Sequence, residues 1–127
     1  MLQVNHEHDL LAAAWEQLEQ KTILPQDMED FFERLGLVPQ RASSRRAYQR
    51  FFIRAKAIVR WQGMSLGAYS ADASRGGLRF LSPIELPLKE RVSIRLPNTK
   101  EFKIEIVRCE RIADACFDCG AMFVLGI

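Results

Sequence analysis

Three arginines fall within the six residues RRAYQR, 45 to 50, and about twenty positions later comes DASRGG, 72 to 77. Arg46 and Arg50 are four apart, so in a loop entering a strand their guanidinium groups can close round one ligand from two sides. Each offers a planar fork that matches phosphate oxygens or the O6 and N7 of a guanine; a lysine would supply the charge without that shape. In the second stretch Asp72 can accept from the ring and amino N–H groups of a guanine. Ser74 can give or take one bond, and Gly77 leaves backbone room for a flat group. A ligand with both donors and anionic groups satisfies the two stretches together, and a guanine nucleotide has both. Tyr48 is the one aromatic inside the arginine loop and a candidate for base stacking.

Other chemistries have thinner support. CFDC at 116 to 119 places two cysteines together, but a zinc site needs four ligands, and Cys109 with a distant His6 or His8 makes an improvised set. Small cysteines near a β-hairpin are the simpler reading, and no metal is expected. No serine stands in a recognisable arrangement with histidine and carboxylate, and no phosphate loop of the GxxxxGKS kind occurs. The expectation is a non-enzyme without a cofactor.

A chain of 127 residues, 48% hydrophobic and 27% charged, reads as one globular domain with a short appendage. No apolar run reaches bilayer-spanning length, and residues 1 to 20 do not resemble a secretory signal, so a cytoplasmic location without a membrane partner is expected. Three cysteines are an odd number for a disulfide framework and are read as reduced. The net charge of +2 conceals a division: residues 1 to 40 hold eight acids against Lys21 and Arg34, whereas residues 41 to 127 hold sixteen bases against eight acids. The second part is the one that attracts anions.

Positioning these residues falls to two kinds of element. Leu10, Leu11, Ala14, Trp15 and Leu18 recur at helical spacing behind a possible Asn5 cap. After Pro25, the residues Met28, Phe31, Phe32 and Leu35 predict a second helix that Gly36 ends. An α-helical hairpin over 1–38, docked as an appendage, is therefore expected, followed by an exposed linker over 39–50 that carries the arginines. From 51 the period changes to two. Phe51, Ile53, Ala55, Ala57, Val59 and Trp61 alternate with Arg54, Lys56 and Arg60, with Phe51 and Trp61 assigned to the core. Residues 62–67 read as a turn and 68–72 as a second strand; further strands follow at Leu78 and Phe80, at Val92 to Leu96, at Phe102 to Ile106 and over 119–125. Six short strands predict a mainly β chain closed into an antiparallel barrel over 51–127, because closure removes exposed edges.

The RxxxR of Arg46 and Arg50, the DxSxxG of Asp72, Ser74 and Gly77, and the ending FDCGAMFV together resemble the PilZ domain, a bacterial receptor module for cyclic di-GMP. The similarity runs from about Arg41 to Val124. It implies a six-stranded PilZ-type β-barrel with the arginine loop just before the first strand. It also implies a binding set of Arg45, Arg46, Arg50, Asp72, Ser74 and Gly77, in which Arg45 leans toward a stacked pair of ligands. Many members cover one barrel opening with a C-terminal helix, a place that the N-terminal hairpin is expected to take here.

The function expected from this resemblance is a cyclic di-GMP receptor that turns ligand binding into movement of the N-terminal segment and so regulates a protein effector; a homodimer stays open. Two alternatives stand beside it: a PilZ-like protein-interaction adaptor that binds no nucleotide, and an OB-like nucleic-acid binder. The last is disfavoured because single-strand binders commonly interleave several aromatics with charge, and here Tyr48 stands alone.

Overall fold

The alternation that begins at residue 51 becomes the first strand of a closed barrel in the computed structural model, which describes residues 10–40 and 48–124. The strands are β1 (Phe51–Trp61), β2 (Met64–Ala73), β3 (Gly77–Ser82), β4 (Arg91–Arg95), β5 (Phe102–Ala113) and β6 (Cys116–Phe123). They close in the order β1-β2-β3-β6-β5-β4, and every neighbouring pair is antiparallel. Inward positions supply the core: Val59, Leu66, Phe80, Ile94, Ile104 and Ile106 are buried together, with Cys119 and Ala121 from β6.

Strand boundaries differ from the periodicity reading in β2, in β5, which runs on to Ala113, and in β6, which spans Cys116–Phe123. β2 starts at Met64, and the turn is only Gln62 and Gly63, with φ of 50° and 76°. Positive φ at both residues makes the tight two-residue hairpin whose twist matches its strands. Gly67 concealed the early part of β2, since a glycine inside a strand reads as a breaker. Phe51, assigned to the core, is 42% exposed. A register shift in β1 between Phe52 and Ala55 separates its first two residues from the inward-outward alternation of the rest.

The N-terminal segment departs further from expectation. Residues 10–16 are α-helical, but the second helix is replaced by two 3₁₀ turns, Gln26–Met28 and Phe31–Glu33, neither with a side-chain cap. The reason lies in the anchors at both ends. Lys21 bridges to Gly67, the Ile23 N–H donates to the Ala115 carbonyl, and Leu37 bridges to Phe51, so the stretch between is too short and too constrained to propagate a helix. Arg54 also takes the Phe31 carbonyl, which a continuing helix would need.

This arm lies against the outer wall of the barrel and not over an opening, which corrects the expected cap. The cause is the outward face of β2: Gly67, Tyr69 and Ala71 are small or apolar and need cover. Phe31 packs there with Ala71, Leu81 and Cys116 as a second cluster apart from the barrel core. Trp15 is buried beside Tyr69, and its indole N–H donates to the Ala68 carbonyl at 2.9 Å.

Gly67 is the point where the arm sits closest. A Cβ there would stand 2.8 Å from Lys21 Cγ and 2.9 Å from the Trp15 ring. Lysine can swing away, but the hydrogen-bonded indole cannot. Gly67→Ala is therefore expected to lift the arm at a cost of about 1–3 kcal/mol, read as a red shift of tryptophan emission and faster proteolysis of the first forty residues while the barrel stays folded. Wild-type emission and protease resistance in that variant would show that the arm is not seated on Gly67.

Among the described residues no helix is long and apolar enough to cross a membrane. The cysteines stand as free thiols, with Cys109 and Cys119 facing each other across β5 and β6 at 3.3 Å between sulfurs. Burial pushes the Cys116 thiol up to about 11 and raises that of Cys119 as well, so both remain protonated at neutral pH.

Candidate ligand-binding site

Leu37 and Phe51 pair as an isolated antiparallel bridge, and from that root the chain leaves and returns. The Val38 N–H donates to the Arg50 carbonyl and Gln49 Nε2 donates to the Val38 carbonyl, so both ends of the arginine-bearing segment are tied together. Arg45 and Arg46 lie outside the described residues, as do Asn5, His6 and His8. Arg50 is thereby delivered to the end of the barrel where β2 gives way to β3.

At that end Arg50 meets Asp72. Arg50 Nε donates to Asp72 Oδ1 at 2.5 Å, and the Arg50 side chain is only 16% exposed. The other carboxylate oxygen accepts from Arg79 NH1 at 3.0 Å, while Arg79 Nε donates to Asp118 at 2.9 Å. Asp118 also accepts from Arg108 NH2 at 3.3 Å. The result is an alternating series, Arg50–Asp72–Arg79–Asp118–Arg108, that crosses the outer face from the loop through β2, β3, β6 and β5. Burial pulls the Arg79 guanidinium down, but its bonds to Asp118 and Asp72 outweigh that and leave it raised, a cation throughout the ordinary pH range.

Asp72, expected from the sequence as an acceptor facing a guanine edge, has a side chain that is 5% exposed, with both oxygens accepting from arginine. In this arrangement it holds Arg50 and Arg79 in place. A Cβ on Gly77 would stand 2.3 Å from the Ala121 carbonyl oxygen, so the β3–β6 pairing itself requires a glycine at this cleft position. Ser74 closes the turn: its N–H donates to the Gly77 carbonyl at 2.9 Å, and its Oγ accepts from the Gly76 N–H at 3.2 Å.

These residues surround one open cleft of about 320 Å³, within the ~300–1,000 Å³ range of small-molecule sites. Tyr48, Arg50, Ser74 and Gly77 line it together with Arg79, Val107, Arg108, Gly120 and Met122. Tyr48 lies beside Gly76, where a Cβ would stand 3.4 Å from its ring, and the Arg75 guanidinium stands 5.3 Å from the ring centre. An arrangement of fixed arginines, one half-exposed aromatic and backbone turns can hold a planar anion. Among the described residues no group of histidine, cysteine or carboxylate side chains could hold a metal ion.

Arg79, Asp118 and Arg108 were not singled out from the sequence. Their signal was present only as outward-facing charge on alternating strands, and strand register alone brings them side by side: Arg79 pairs with Gly120, and Gly120 pairs with Arg108.

No curated protein matches the chain. The profile of the PilZ domain matches residues 44–127, which takes in the cleft, the closed six-stranded barrel and the arginine segment from Ser44 onward. The chain thus belongs to the PilZ domain family.

Proposed function

We propose that this protein is a cyclic di-GMP receptor that regulates a protein partner through its N-terminal arm. The observation that carries the reading is the meeting of Arg50 with Ser74 and Gly77, more than twenty residues later in the chain, on one cleft beside Tyr48, with Asp72 bonded to Arg50. Arg50, held by Asp72, is one fork; Arg46, four residues earlier in the chain, is the second. Two forks at about 1–3 kcal/mol each, less the ordering of the loop, fall short of the roughly 8 kcal/mol of micromolar binding, so base stacking supplies the remainder of any micromolar affinity.

The backbone supports a route from the cleft to the arm. Val38 is bonded to the Arg50 carbonyl, and the Phe52 N–H donates to the Gly36 carbonyl, so a ligand that draws the arginine segment inward pulls on residues 36–38. Arg54 then links strand to arm directly, stacked on the rings of Phe31 at 4.2 Å and Phe52 at 4.7 Å. Phe31 itself is 2% exposed, while Phe32, Leu35 and Leu37 face outward beside it. These exposed apolar residues favour a second reading, an adaptor that meets its partner through the arm without nucleotide.

Titration calorimetry with cyclic di-GMP, and with a mixed-sequence oligonucleotide at two salt concentrations, separates the readings. Wild-type protein is expected to take up the dinucleotide with a shallower salt dependence than a polyanionic oligonucleotide would show, and Arg46→Ala and Arg50→Ala are each expected to lose measurable binding. Arg50→Ala should also lower the thermal midpoint, because Asp72 loses a partly buried partner. Equal affinity in wild type and both variants would overturn the assignment, and binding by the oligonucleotide alone would favour the nucleic-acid reading.

A further inference from the structure

Arg79, Gly120 and Arg108 occupy one cross-strand row on β3, β6 and β5, in register with one another. A glycine between two outward arginines leaves an open shelf. The position that a Cβ on Gly120 would take is 3.5 Å from Arg108 Nε and 3.5 Å from Arg108 NH2, so the guanidinium lies flat across the glycine instead of standing away from the sheet. Asp118 pins it from one edge, accepting from NH2 at 3.3 Å through its carboxylate and from NH1 at 3.4 Å through its carbonyl. The outer plane stays free, since the Arg108 side chain is 45% exposed and faces the cleft that holds Arg50 and Tyr48.

We infer that Arg108 is a ligand-contacting residue, a flat cationic platform on which one purine base of the bound dinucleotide stacks. A delocalised guanidinium held in plane is suited to stacking on a heteroaromatic ring, and its low hydration makes covering it cheap. Asp118 and Gly120 are positioning residues for that platform: one fixes its edge and the other leaves the space beneath it. The ligand footprint then spans β3, β6 and β5 in addition to the arginine segment and the β2–β3 turn. This inference rests on the cyclic di-GMP reading.

Calorimetric titration of wild type, Arg108→Ala, Arg108→Lys and Arg50→Ala with cyclic di-GMP tests it. Arg108→Ala is expected to weaken binding about tenfold or more while the thermal midpoint of the ligand-free protein hardly moves. Arg108→Lys keeps the charge but loses the plane, so it should recover little of the loss, and the absorbance decrease that stacking gives the bound base should shrink in both variants. Wild-type affinity in Arg108→Ala, with binding lost in Arg50→Ala, would overturn the platform and leave the receptor reading standing. Full recovery by lysine would reduce Arg108 to a point charge and overturn the platform equally. No uptake by the wild type would overturn both.

Discussion

Asp72→Ala is expected to destabilise the protein by about 3–5 kcal/mol, the cost typical of removing one partner from a buried ion pair. The carboxylate joins Arg50 on the segment entering β1 to Arg79 on β3, and it is nearly fully covered. Its removal leaves two partly buried guanidinium groups facing each other without the charge that held them. For a chain of this size the loss corresponds to a fall in thermal midpoint of about 10 °C or more. Urea unfolding followed by tryptophan emission measures it. Asp72→Asn keeps shape and one acceptor, so it should fall between alanine and wild type, and cyclic di-GMP binding should weaken in both because Arg50 loses its fixed position. A loss below about 1 kcal/mol in the alanine variant would mean that solvent screens the arginines and that Asp72 does not organise the cleft.

Gly77→Ala tests a different kind of constraint, one methyl group against backbone. The added carbon would sit 2.3 Å from the Ala121 carbonyl oxygen, and neither side can yield without opening the β3–β6 pairing at Gly77 and Met122. Overpacking against a flexible side chain costs about 1–3 kcal/mol; here the obstacle is a strand, so about 3 kcal/mol or more is expected, up to failure to fold. The neighbouring Gly76→Ala is the control. Its Cβ would meet only the Tyr48 ring at 3.4 Å, and a change within about 0.5 kcal/mol is expected. Circular dichroism melts of the two variants give the comparison, and a Gly77→Ala protein that melts like wild type would show that the strands can part at this point without cost.

Both results bear on how far the chain could be read before its fold was known. The barrel was legible because a half-buried strand writes its own pattern: Ala57 and Val59 inward, Lys56 and Arg60 outward, two residues per repeat, with nothing required from elsewhere in the chain. The loop and turn that meet at the cleft were legible for a related reason. Arg50 and the Asp72 to Gly77 turn sit at strand ends, where residue type reports local geometry directly.

The N-terminal arm was read less well. Met28, Phe31, Phe32 and Leu35 keep helical spacing, yet the segment is stretched between bridges at Lys21 and Leu37 and settles into 3₁₀ turns. Helical propensity is a weak preference that two fixed ends can override. Gly67 misled in the same way, since its role is set by Trp15, fifty-two residues earlier, which packs over it.

What the amino-acid order determined alone is therefore the periodic part, the six-strand barrel and the cationic and acidic groups at its rim. Which partner each of those groups takes was decided only by the closed sheet. Closure and register put Asp72 between Arg50 and Arg79, set Asp118 beside Arg108, and aligned Arg79, Gly120 and Arg108 in one row. Alternation states which face a side chain occupies but carries no information about its neighbour on the next strand, because that neighbour depends on pairing offsets and bulges distributed over the whole barrel.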